Sequence, residues 1–385
     1  MSFVESPERV ALREVVRDLG SRYGFEYFSR VARAGEHADE LWAEAGKLGF
    51  LGVNLPAEHG GGGAGLYELS LVLEELGRAG CGLLMMVVSP AICGTVIARY
   101  GTPEQRARWL PGLADGSRVM AFGITEPDAG SNSHEIATVA RRDGADWLLS
   151  GRKVYVSGVD AADETMIVAR TEDARTGRLK PALFVVPRDT PGFEHRAIDM
   201  ELLTPERQFA LFLDDVRLPA DALVGDPDAG LAQLFAGLNP ERVMAAAYAL
   251  GTARYALDKA VAYAKERQVW SAPIGAHQGI AHPLAQVKVE VELARLMMQK
   301  AASLVDEGRE DLAGEAANMA KYAAGEAGAR AVDQAVQTLG GNGLSREYGI
   351  APLLTMSRVG RIAPVSREMI LNFVAQNSLG LPRSY

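Results

Sequence analysis

Two stretches of the chain carry residue types suited to chemistry. The first, residues 121–133, reads Ala-Phe-Gly-Ile-Thr-Glu-Pro-Asp-Ala-Gly-Ser-Asn-Ser. An apolar, strand-like run over 119–124 meets a turn cluster over 126–131. Gly130 and Ser131 offer a backbone without a Cβ, free N–H donors and a hydroxyl, a combination that lets a loop approach an anion closely. Thr125, at the strand end, can aim a hydroxyl at the edge of a ring. An ordinary strand-to-loop exit fits this stretch equally well. The second stretch is Leu238-Asn239-Pro240-Glu241-Arg242. Read locally, Asn-Pro-Glu is a helix cap, a first-turn proline and an acidic first turn. The glycine run after His59 lacks the Lys-Ser/Thr of a phosphate loop and reads as a flexible turn. Cys81 and Cys93 lie in apolar surroundings and read as buried free thiols, with no metal-ligand spacing.

The elements that must position these residues follow from periodicity. Residues 5–50 repeat apolar positions at helical spacing and predict two helices. Further helices are expected over 66–79 and 83–100, the second nearly all apolar and therefore buried. Thr102-Pro103-Glu104-Gln105 marks another helix start. Near residue 118 the period becomes alternating. Short runs at 119–124, 136–140, 147–150, 153–157, 166–169, 182–186 and 210–213 predict a small all-β module, with a charged hairpin tip at 173–180. Beyond 231 the chain turns helical again, with long Ala-rich segments over 241–269, 284–307, 311–339 and 365–376, the last opened by Pro364. The expectation is an α+β multidomain chain: an N-terminal α-helical domain over 1–118, a β-barrel-like middle domain over 119–225 and a C-terminal four-helix bundle over 226–385.

At 385 residues the chain exceeds one ordinary core, and 48% hydrophobic content marks a globular protein. A net charge of −9 argues against nucleic acid or an anionic membrane as partner. No run is long and apolar enough to span a bilayer, and the N-terminus lacks a signal-peptide core, so a cytoplasmic location is expected.

In order along the chain stand Thr125-Glu126-Pro127-Asp128-Ala129-Gly130-Ser131, Gly151-Arg152-Lys153-Val154-Tyr155-Val156-Ser157, Leu213-Asp214-Asp215-Val216-Arg217-Leu218-Pro219, Glu266-Arg267 with Ile274-Gly275 and His277-Gln278, and Gln337-Thr338-Leu339-Gly340-Gly341-Asn342-Gly343. This set resembles the acyl-CoA dehydrogenase family over about residues 5–380. The resemblance implies an FAD enzyme, usually a homotetramer, that passes electrons to an electron-transferring flavoprotein. It implies that Phe122, Ile124 and Thr125 line the flavin ring and that Gly130 and Ser131 hold pyrophosphate, with Ser131 also at the substrate. Tyr155, Val156 and Ser157 would lie against the ring, Tyr155 and Ser157 replacing the family's Trp and Thr. Arg267, Trp270, Gln278, Gln337 and Gly341 would contact the neighbouring subunit's FAD, and Ser366 would stand near the adenosine.

Dehydrogenation of an acyl thioester needs a desolvated carboxylate for the α-proton and donors to the thioester oxygen. Most family members carry that glutamate just before the last long helix, where this chain has Pro364. Proline removes both the carboxylate and a backbone N–H donor. A minority, the isovaleryl-CoA and long-chain types, place it on the first bundle helix, where Glu241 falls. The resemblance therefore makes Glu241 the expected base and Arg242 a residue that orients carboxylate or substrate. Glu347 is an outside candidate for the base, and Glu368 a weaker one. The substrate is expected to be an acyl-CoA or a carrier-bound acyl group. Two alternatives stay open: a different flavin reaction, such as oxidation or elimination, or a non-catalytic flavoprotein subunit.

Overall fold

The computed structural model describes residues 4–172, 176–226 and 230–383. The N-terminal domain opens with α1 (Pro7–Ala34), capped by Ser6, whose Oγ accepts from Arg9 N at 3.4 Å, and kinked where Gly24 adopts φ 65°. After α2 (Asp39–Lys47) comes α3 (Leu66–Arg78). Its first turn is capped from the far end of the chain: Asp306 accepts from Leu66 N at 2.7 Å and Tyr67 N at 3.0 Å. The apolar stretch expected as one helix over 83–100 is buried, but it winds as a π-helical segment, Val87–Gly94, running into α4 (Thr95–Tyr100). Pro90 sits inside that segment, where it cannot supply an N–H to α-helical pairing. α5 (Pro103–Asp115) starts at the predicted Thr102–Gln105 capping box.

The middle domain is a curled seven-stranded sheet ordered β1-β4-β2-β3-β7-β6, with β5 on β4. Its strands are β1 (Met120–Gly123), β2 (Val139–Asp143), β3 (Asp146–Ser157), β4 (Glu164–Glu172), β5 (Leu179–Pro187), β6 (Phe193–Ile198) and β7 (Gln208–Leu218). The two runs expected at 147–150 and 153–157 are one strand. β3 continues through register shifts against β7 at Leu149/Gly151 and Lys153/Val156, and such bulges interrupt alternation without ending a strand. Sequence reading missed β6, an edge strand whose Glu194, Arg196 and Ala197 are exposed, so it carries little apolar alternation. Of the expected hairpin tip, residues 173–175 lie outside the described residues.

The C-terminal bundle holds α6 (Gly230–Glu266), α7 (Gln278–Asp306) and α8 (Glu310–Leu339), with the shorter α9 (Leu353–Ile362) and α10 (Arg367–Phe373) closing it. A two-stranded ribbon, Gln268–Val269 with Ala272–Pro273, joins α6 to α7. Two boundaries differ from expectation. α6 starts before Asn239, so Pro240 is interior and Asn239-Pro240-Glu241 is not a cap. Pro364 does not open the last helix. It follows a cis peptide bond from Ala363, and Ser366 caps α10 by accepting from Met369 N at 3.3 Å.

A buried ionic cluster joins the two helical domains. Glu74 and Glu75 of α3 meet Arg13 of α1 and Arg254 of α6 at 2.6–2.9 Å, and Arg295 of α7 reaches Glu74 at 3.1 Å. The surrounding arginines hold both carboxyls below the usual range despite burial. Among the described residues, no helix is long and apolar enough to cross a membrane.

Candidate active site

The loop after β1 is a tight turn in which Glu126 N donates to Ala129 O at 3.0 Å and Ala129 N to Glu126 O at 3.2 Å. An ion pair that sequence reading did not single out fixes it. Lys153 Nζ donates to Glu126 Oε1 at 2.7 Å and to Ile124 O at 3.1 Å, and neither side chain is more than 6% exposed. The other donors to Glu126 are Ala137 N at 2.5 Å and Thr138 N at 3.0 Å. These donors hold the Glu126 carboxyl below its ordinary value, while burial pushes Lys153 down to about 8. The signal was present in the sequence, since both residues lie inside the two strongest motifs.

The turn thus sits beside β3, where Val154 N donates to Thr125 O at 2.9 Å. Phe122 is buried and Ile124 and Thr125 half-buried, while Gly130 and Ser131 are exposed, with nothing within 4 Å of a Cβ placed on Gly130. Tyr155 is 61% exposed and holds φ 57°, a conformation a tyrosine seldom adopts. The Val156 side chain points into the sheet core, so only its main chain can face a ligand. Ser157 Oγ accepts from the Gln208 amide at 2.9 Å, which orients the hydroxyl.

In the bundle, α6 carries Glu241. It is half-buried and, among the described residues, makes no hydrogen bond or ion pair within 4 Å. Burial is the largest influence on it and pushes its carboxyl up to about 7, against the opposing pull of Arg242 and Lys321. Arg242 is buried, with Nη1 donating to Asn239 Oδ1 at 3.0 Å and to Leu238 O at 3.2 Å, and with Nε unpartnered. Lys321 of α8 was not foreseen. It is 2% exposed, donates Nζ to Val365 O, and is pushed down to about 8 by burial and by Arg242. It therefore ties the segment containing Pro364 to the helix facing Glu241. Cys93 links Glu241 to the sheet: it senses the Glu241 charge, and its thiol lies 3.6 Å from Ala121 O in β1.

The remaining candidates lie elsewhere. Arg267, Trp270, Gln278, Gln337 and Gly341 are all exposed at the far ends of the bundle helices, Trp270 at 89% and with φ 54°. Ser366 is half-buried and occupied as a helix cap. Glu347 is exposed, and Glu368 is exposed and paired with Arg367 at 2.8 Å, so neither has the desolvation of Glu241.

A sheet domain between two helical ones defines a class of three-domain fold. Family models assign the chain within that class. The N-terminal, middle and C-terminal domains of acyl-CoA dehydrogenase match residues 6–117, 121–216 and 228–379. The chain belongs to the acyl-CoA dehydrogenase family. It is 67% identical over 384 residues to the acyl-CoA dehydrogenase FadE12 of Mycobacterium tuberculosis, covering 100% of this chain and 99% of that one. Among solved structures, a glutaryl-coenzyme A dehydrogenase in complex with glutaryl-CoA superimposes with TM-score 0.94 at 31% identity, covering 100% and 98% of the two chains. A glutaryl-CoA dehydrogenase from Mycobacterium smegmatis in complex with FADH2 does so with TM-score 0.90 at 28% identity, covering 99% and 97%.

Proposed function

We propose that this protein oxidises an acyl-CoA between its α and β carbons, with FAD as cofactor and Glu241 as the base. The observation that carries the reading is Glu241 itself, a half-buried carboxylate without an ion-pair partner, raised by burial to about 7 and linked to β1 through Cys93. A base working on a weak carbon acid is most effective with a pKa near the working pH.

The residues present fit FAD. Gly130 and Ser131 offer unobstructed backbone and a hydroxyl to a pyrophosphate, Phe122, Ile124, Thr125, Tyr155 and the Val156 main chain flank a ring, and Ser157 offers an oriented hydroxyl. Arg267, Trp270, Gln278, Gln337 and Gly341, exposed on a single chain, would serve the cofactor of a neighbouring subunit, and Ser366 would lie by its adenosine. When bound, the flavin supplies the acceptor for the β-hydride. Glu241 takes the α-proton, and the electron pair of that C–H bond becomes the new double bond as the hydride leaves, giving an enoyl thioester. Ser131 and Arg242 hold the substrate, and Arg242 and Lys321 limit how far the Glu241 pKa can climb. Electrons then pass to an electron-transferring flavoprotein, and the working unit is a homotetramer.

Pro364 has no N–H for the thioester oxygen, so the protein main chain contributes one donor fewer there. Anaerobic addition of saturated acyl-CoAs to the flavin-loaded protein tests the reading. Bleaching of the flavin supports a dehydrogenase; an unchanged spectrum with every acyl-CoA supports another reaction or a non-catalytic subunit.

A further inference from the structure

α6 is the central helix of the bundle, yet one stripe along it stays partly open. Leu238, Glu241, Ala245, Tyr248 and Thr252 are half-buried, at successive spacings of three, four, three and four residues, while most positions between them are buried. That spacing is one helix face. The face is pinched at both ends. At the N-terminal end, a Cβ on Gly237 would stand 3.0 Å from Ile92 Cγ2 and Val96 Cγ2. At the other, a Cβ on Gly251 would stand 2.8 Å from Gly77 Cα, so α3 and α6 touch backbone to backbone. Between the two contacts the half-open stripe runs from Glu241 past the small Ala245 to Tyr248.

The Tyr248 ring rests on the turn after α3. A Cβ added to Gly82 would meet Tyr248 Cε2 at 3.1 Å. Behind the ring is a cavity of about 20 Å³ lined by Phe25, Gly77, Gly80, Gly82 and Thr252, too small for an alkyl chain while the ring stays in place. The Tyr248 hydroxyl makes no hydrogen bond among the described residues, and the buried Glu206 lies close enough to influence its titration.

We propose that Tyr248 is the floor of the acyl pocket and restricts this enzyme to short and medium acyl chains. This rests on Glu241 being the base. Seven residues of helix separate Glu241 from Tyr248, about 10.5 Å along the axis. Subtracting a ring-to-chain contact of about 3.5 Å leaves about 7 Å, enough for roughly five extended carbons beyond the α-carbon. Chains longer than about eight carbons meet the phenol.

The test is a saturated acyl-CoA series from four to sixteen carbons, followed by anaerobic flavin bleaching. Calorimetry with non-oxidisable alkyl-thioether CoA analogues of the same lengths provides a binding readout. The wild type is expected to lose at least tenfold in kcat/KM and in affinity between eight and twelve carbons. Tyr248→Ala should move the cut-off outward by two to four carbons, and Gly82→Ala, which crowds the ring forward, should move it inward. Tyr248→Phe should keep the wild-type cut-off, which separates the ring's bulk from its hydroxyl. Wild-type oxidation of the sixteen-carbon substrate as fast as the six-carbon one, or a cut-off unmoved in Tyr248→Ala, overturns the floor while leaving Glu241 as base. Unchanged bleaching in Glu241→Gln overturns the base and the floor with it.

Discussion

Lys153 of β3 reaches Glu126 of the β1 loop at 2.7 Å, with the lysine fully buried. This one ion pair holds the strand that ends in Tyr155 and Ser157 against the turn that carries Gly130 and Ser131. Replacing only the lysine leaves a buried carboxylate without its cation, which costs about 3–5 kcal/mol in comparable sites. Lys153→Met is therefore expected to lower the melting temperature and to purify with less flavin than wild type. Absorbance-to-protein ratios and thermal denaturation check both effects, and full flavin content in a destabilised variant would show that the pair serves stability alone.

Lys321 sits on the other side of the site, buried, with its ammonium on Val365 O and its charge felt by Glu241. Removing that charge raises the pKa of Glu241, since a nearby cation favours the carboxylate. Because the base acts deprotonated, kcat/KM in the wild type should rise with pH and level off above about 7. Lys321→Met should move that rise upward by roughly one pH unit. A profile that does not move would assign Lys321 to structure only.

The same raised pKa has a consequence for stability. Glu241 binds its proton more tightly in the folded chain than in the unfolded one, so its contribution is complete below the unfolded value near 4.5 and disappears as pH rises through about 7. Glu241→Gln removes the cost of holding a charge at this half-buried position. The variant should melt about 2–4 °C higher than wild type at pH 8, with a smaller difference at pH 5. Calorimetric scans at the two pH values check the sign.

Arg267 and Gln337 lie exposed, on bundle segments distinct from the Gly130–Ser131 loop. If the neighbouring subunit completes each flavin site, Arg267→Ala and a Ser131→Arg block should complement one another. Mixed oligomers would contain one intact site per pair, recovering up to about half of the flavin, whereas each variant alone would lose most of it. Absence of recovery in verified hybrids would place Arg267 outside the cofactor site.

The sheet and the loop after β1 were legible in sequence because their signals are local. Strand alternation, the turn residues from Glu126 to Ser131 and the Thr102 capping box each act over a few residues. β6 was hidden because an exposed edge strand has little alternation to read, and β3 appeared split because its bulges interrupt the period. The environment of Glu241 was illegible for a different reason. Local rules made Asn239-Pro240-Glu241 a helix start, but packing carries α6 through the proline, and the partners that set the carboxylate's titration include Lys321 on another helix. The sequence motifs singled out Glu241, but the desolvation that would suit it to act as a base exists only after the bundle assembles.

The central claim is that Glu241 removes the α-proton. The most direct measurement is the anaerobic rate of flavin bleaching by a short-chain acyl-CoA in Glu241→Gln and wild type, at pH 8 and with flavin content matched. A general base of this kind contributes 10²–10⁴-fold, so the account predicts a rate lower by about 10³ with the acyl-CoA still bound. Bleaching at the wild-type rate would contradict it.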